Sequence, residues 1–137
     1  MVNRVFFDTN VVLDIIDSSR KSHKNALKVW EQSVYEGFNI VISEDMLSTI
    51  FYINEDKQYA LEFFKFIQNE WHIAGFGKKV IEHAISFSLE KCLDLEDILQ
   101  CFCAKENGCG IFITNDKKFY DCGIKILSIE EFLGEII

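Results

Sequence analysis

The sequence predicts an α/β fold in which a mostly parallel central sheet is covered by helices on both sides. Short continuous apolar runs suit strands buried on both faces, and longer stretches repeat apolar residues at helical spacing. The two kinds of segment alternate along the chain, as βαβ units require. No proline and no Gly/Ser-rich linker interrupts the 137 residues, so the pattern belongs to one domain spanning 1–137.

The elements follow in order. Val5-Phe6-Phe7 is the first strand, and Asp8-Thr9-Asn10 ends it before apolar residues resume. Over residues 22–36, Ala26, Leu27, Trp30 and Val34 mark the inner face of a helix that Gly37 terminates. Asn39-Ile40-Val41-Ile42 is the second strand, and Ser43 suits the N-cap of a helix carrying Met46, Leu47, Ile50 and Phe51. Helical stretches over 56–69 and 77–91 flank Trp71-His72-Ile73-Ala74. Asp94 opens a further helix whose stripe is Leu95, Ile98, Leu99 and Phe102. Gly108 and Gly110 release the chain into the strand Ile111-Phe112-Ile113. Ile124-Lys125-Ile126-Leu127 is the last strand, with Ser128 capping a short terminal helix.

Composition limits the function. With 49% hydrophobic residues the chain buries a core rather than staying disordered. No apolar run approaches the roughly 18 residues of a membrane span. The start Met1-Val2-Asn3-Arg4-Val5 lacks a signal-peptide layout, so a cytoplasmic protein is expected. Five cysteines without paired-ligand spacing are expected to be reduced thiols used as small apolar fillers. The net charge of −8, from 14 basic and 22 acidic residues, argues against a broad basic nucleic-acid face. It leaves room for an acidic cluster neutralised by divalent metal.

Ligands of open parallel sheets bind at the carboxyl ends of the strands. There the sequence places Asp8-Thr9-Asn10, Ser43-Glu44-Asp45 and Thr114-Asn115-Asp116, while Asp94 and Asp97 open the helix that feeds the third of these strands. Converging carboxylates repel one another, so a hard divalent cation is their natural partner. Each motif has a structural alternative. Asp8 and Asn10 suit helix caps, Asp94 with Asp97 a capping arrangement, and Asp116 an ordinary turn. Asp14 and Asp17 are expected on a solvated helix face.

Three stretches, "FFDTNVVLDII", "DLEDILQCFCAKENGCGIFITNDKKF" and "IKILSIEEFL", resemble the PIN domain, and particularly the VapC-type toxins of bacterial toxin–antitoxin pairs. The resemblance runs nearly end to end. It implies a Rossmann-like three-layer sandwich and a Mg²⁺- or Mn²⁺-dependent endoribonuclease, the toxin of a type II pair. Carried over by position, it makes Asp8, Asp97 and Asp116 the catalytic, metal-binding acids. Asp94 is then an outer member, and Asn10 and Thr114 support the carboxylates. Lys117 and Lys118 are candidates for holding a flanking RNA phosphate, or else solvated surface lysines.

The family usually carries a glutamate on the helix after the second strand, and here that position is Thr49. Asp45 lies one turn earlier on the same face. Three readings stay open: Asp45 substitutes, three core acids suffice, or the chain is an inactive PIN-like module that binds RNA or protein. A haloacid dehalogenase-like phosphatase is less well supported, because its second aspartate falls on Asn10. A response-regulator receiver lacks its acidic pair. As partners, the resemblance implies RNA and a cognate antitoxin. Phe51, Tyr52, Phe63, Phe64 and Phe66 exceed what one buried stripe needs, so either a homodimer or partner-helix contact, or a thick core, is expected.

Overall fold

The computed structural model describes residues 3–136; the ends of the predicted domain, including Met1 and Val2, lie outside the described residues. The elements are β1 (Arg4–Phe7), α1 (Thr9–Ile16), α2 (His23–Tyr35), β2 (Asn39–Ser43), α3 (Asp45–Ile53) and α4 (Lys57–Glu70). They continue as β3 (His72–Ala74), α5 (Gly77–Lys91), α6 (Leu95–Glu106), β4 (Ile111–Ile113), β5 (Lys125–Leu127) and α7 (Ile129–Ile136).

The five strands form one sheet in the order β3-β2-β1-β4-β5, and every pairing is parallel. Val5, Phe6 and Phe7 of β1 are all fully buried. Successive strand residues point to opposite faces, so the central strand is covered on both sides. Chain order reverses beside β1, with β2 on one flank and β4 on the other. That reversal opens a crevice at the carboxyl edge of the sheet. Phe6 stacks on Phe112 of β4 at 5.0 Å, fixing register across the reversal. No helix of the described residues is long and apolar enough to cross a membrane.

Several expectations need correction. Ser43 is not a helix cap. It is the last residue of β2, paired opposite Ala74 of β3, and Glu44 takes the cap position without a side-chain hydrogen bond. The segment His72–Ala74, read only as a separator, is this edge strand. Helix α2 buries Ala26, Val29 and Ser33, so its inner face is rotated from the one predicted and Leu27 and Val34 are exposed. On α6, Leu95 is exposed while Ile98, Cys101, Cys103 and Ala104 are buried. The reason is that α6 packs against both α5 and β2, which buries more than one stripe.

The cysteine expectation fails at two positions. Cys101 of α6 and Cys122, in the segment after β4, form a disulfide with Cα atoms 6.2 Å apart. Cys103 and Cys109 are buried free thiols, as expected of apolar fillers, and Cys92 is exposed. Of the excess aromatics, Phe63 is buried among Trp30, Phe64 and Trp71. Tyr52 and Phe66 stay largely exposed.

Candidate active site

The crevice beside β1 is built around Asp8. Strand β1 ends at Phe7, and the Asp8 N–H continues the ladder by donating to the Ile113 carbonyl at 3.0 Å. Asp8 then caps α1, its Oδ1 accepting from the Thr9 N–H at 2.9 Å. Its Oδ2 accepts from the Thr114 hydroxyl at 2.7 Å, across 106 residues of sequence. The Thr114 oxygen in turn accepts from the Asp116 N–H at 3.1 Å. Thr114 thus ties the first acid to the loop that carries the third.

Asp8 is only 8% exposed. Burial pushes its carboxyl above the usual range, the two hydrogen bonds hold it down, and the Asp116 charge adds to the rise. Asp97 is pushed up to about 6 by burial and then by repulsion from Asp94, Asp8, Asp116 and Glu96. Helix α6 delivers this group because Asp94 caps it, its side chain accepting from the Asp97 N–H at 3.2 Å. The capping role of Asp94 and its place beside the acids therefore coexist. Asp8, Asp94, Asp97 and Asp116 are brought into one electrostatic cluster.

Other predicted residues divide. Asn10, on the first turn of α1, lines an open cleft together with Asp116. Lys117 lines an adjoining cavity that also contains Asp116, whereas Lys118 lines neither and donates its backbone N–H to Asp116 Oδ1. Thr49 turns its hydroxyl to its own helix, donating to the Asp45 carbonyl at 3.4 Å. Asp45 is exposed at the start of α3.

Two residues were missed. Glu96 of α6 is raised first by burial and then by the charges of Asp45, Asp94 and Asp8, so it belongs to the same acidic cluster. Its signal was present as the second acid of "DLED", read only through its flanking aspartates. Asp14 is not on a solvated face. It is 6% exposed and accepts from Arg20 Nε at 2.7 Å, because α1 is buried along its whole length after Asn10. Asp17 does reach solvent and accepts from Ser19 at the end of α1.

The donor chemistry fits a hard divalent cation in kind. Every candidate ligand is an oxygen, and the carboxyls are raised first by burial and then by their neighbours' negative charge. Among the described residues, no three carboxylate, imidazole or thiolate groups stand within coordinating reach of one point.

Comparison with known proteins places this geometry in context. The PIN domain family model matches residues 5–125. Ribonuclease VapC1 of Aquifex aeolicus (strain VF5) is 37% identical over 133 residues, covering 94% of this chain and 92% of that protein. Two solved structures share the fold at low identity. VapC20 of Mycobacterium tuberculosis, described as a sarcin-ricin loop cleaving toxin, superposes with a TM-score of 0.71 at 14% identity, over 88% of this chain and 95% of that one. VapBC2 of Rickettsia felis, bound to a DNA fragment from its promoter, gives 0.67 at 17% identity, over 93% and 98%.

Proposed function

Because this chain belongs to the PIN domain family, we propose that it is an endoribonuclease using Mg²⁺ or Mn²⁺, and the toxin partner of an antitoxin. The observation that carries this reading is the link from Asp8 through the Thr114 hydroxyl to the Asp116 N–H, with Asp97 held above its usual range beside it. Such mutually repelling carboxylates, with Asp8 buried among them, cost stability unless a cation joins them. Asp8, Asp97 and Asp116, which do not meet at one point without it, would hold the cation once drawn together, with Asp94 and Glu96 at its border. When bound, it would supply Lewis acidity for water activation and for orienting the scissile phosphate.

The remaining roles belong to the chain itself. Thr9 and Thr114 fix both oxygens of Asp8, so this carboxylate does not need to be ordered on binding. Asn10 and Lys117, which line cavities beside Asp116, would donate to the RNA backbone. The exposed side chains Tyr52 and Phe66 supply an apolar surface for an antitoxin helix or a second copy of the chain.

The test is RNA cleavage with Mg²⁺ or Mn²⁺ by wild type, Asp8→Asn and Asp97→Asn. Cleavage confined to the wild type is expected, and equal residual cleavage in all three removes the assignment. One observation favours the non-catalytic alternative: Thr49 is engaged with its own helix and brings no charge. RNA binding without metal-dependent cleavage would establish that module instead.

A further inference from the structure

A cleft of about 580 Å³ opens from Asp116 toward the loop between α1 and α2. Its walls carry Asn10, Arg20, Lys21, Ser22, Asn115 and Asp116. In a chain of net charge −8, the two adjacent cations offset Asp14 and Asp116 on the same walls and leave this cleft balanced in charge.

Arg20 is set in place rather than loose. Its Nε donates to Oδ1 of the buried Asp14 at 2.7 Å, and Asp14 itself borders the cleft. The terminal guanidinium nitrogens make no hydrogen bond to the described residues, and the side chain keeps about a third of its exposure. An arginine held by Nε presents its outer N–H pair as a fork, the geometry that grips two oxygens of one phosphate. Asn115 is fixed in a similar way, its Oδ1 accepting from the Ile129 N–H at 3.1 Å, which leaves its amide nitrogen to donate.

The adjoining cavity of about 690 Å³ shares Lys21 and Asp116, but its far wall carries Glu130 and Glu131. With Lys21 and Lys117 set against Asp116, Glu130 and Glu131, that cavity is net negative, and the balanced Arg20 side is the less repulsive path for a polyanion.

We propose that the Arg20–Lys21 cleft is a phosphate subsite for single-stranded RNA, holding the strand beside the bond presented to the acidic centre. This rests on the nuclease reading, with Arg20 and Lys21 acting as positioning residues. Alone, Arg20 would be the neutralising partner of Asp14 and nothing more. The salt dependence of RNA affinity separates the two roles, since only a phosphate contact contributes to it.

The experiment measures fluorescence anisotropy of a labelled single-stranded RNA against salt concentration, without divalent metal, alongside cleavage of the same RNA with Mn²⁺. Wild type is compared with Arg20→Lys, Arg20→Ala and Lys21→Ala, with Lys28→Ala, exposed on α2 outside the cleft, as control. Lys21 has no ion pair among the described residues, so its variant stays informative should Arg20→Ala fail to fold. Arg20→Ala and Lys21→Ala should each weaken binding about tenfold and lower the salt slope by about 0.7. Arg20→Lys should keep the slope and lose affinity. Variants that bind with wild-type slope and affinity, while wild type cleaves RNA, overturn the subsite and leave the nuclease reading standing. A wild type that neither binds nor cleaves RNA overturns both.

Discussion

Replacing Asp97 by asparagine should make the metal-free protein more stable while removing its cleavage activity. The Asp97 carboxyl is raised to about 6 from an ordinary 3.8, first by burial and then by four neighbouring acids. Below the unfolded value both states are protonated and the group contributes nothing. Between about 4 and 6 the unfolded chain loses its proton while the folded chain keeps one, so rising pH disfavours folding. Above about 6 the penalty is complete and constant. A rise of this size corresponds to about 3 kcal/mol. Asp97 is part-exposed, and screening by solvent reduces this to about 1 kcal/mol. For 137 residues the entropy of unfolding is about 0.3 kcal/mol per degree, which converts to a Tm rise of about 3 to 4 °C. The Asp97 side chain makes no hydrogen bond to the described residues, so asparagine loses none. Thermal unfolding followed by circular dichroism in EDTA from pH 4 to pH 8 reads the effect. Curves that coincide near pH 4 and separate above pH 6, with Asp97→Asn the more stable, are expected. A variant no more stable than wild type at pH 8 refutes the argument that a charge disfavoured by burial and repulsion at this position awaits a cation.

Two further predictions concern stability. Thr114→Val removes the hydroxyl that Asp8 accepts from and leaves a buried carboxylate one bond short, at a cost of about 1 to 2 kcal/mol in urea denaturation; an unchanged midpoint would show that Thr114 does not hold Asp8. The Cys101–Cys122 bond closes 21 residues between α6 and the segment beyond Asp116. Reduction should lower stability by about 3 kcal/mol, read as a denaturant midpoint with and without reducing agent, and Cys122→Ser should make the protein insensitive to that agent.

The central strands and the acids at their ends were legible because both leave local signatures. A run such as Val5-Phe6-Phe7 has no polar face, and a polar triplet directly after it marks the strand's carboxyl end. What stayed hidden depends on packing. Three residues, His72–Ala74, are too few to show a period, yet once paired with β2 they draw Ser43 into the sheet and away from a cap. The face of α2 turned because the helix packs between α1 and the distant α7, a neighbour that no local window contains. Asp14 looked solvated by type, but its counterion lies six residues on, beyond the end of its own helix. The Cys101–Cys122 pairing depended on the path of the segment after β4, which spacing along the chain does not encode.

Strand β1 lies at the middle of the sheet, and its two neighbours are made at very different times. Residues 39–43 emerge soon after it, but residues 111–113 follow only after α3, α4, β3, α5 and α6. At about 5 to 20 residues per second, the 106 residues between Asp8 and Thr114 take the ribosome about 5 to 20 seconds. Until then Asp8 has no hydroxyl to hold Oδ2, and Asp97 and Asp116 have no β4 to bring them alongside it. An N-terminal fragment released at any earlier point cannot carry the assembled centre. The order of translation therefore withholds the site until β4 and the loop after it have been made.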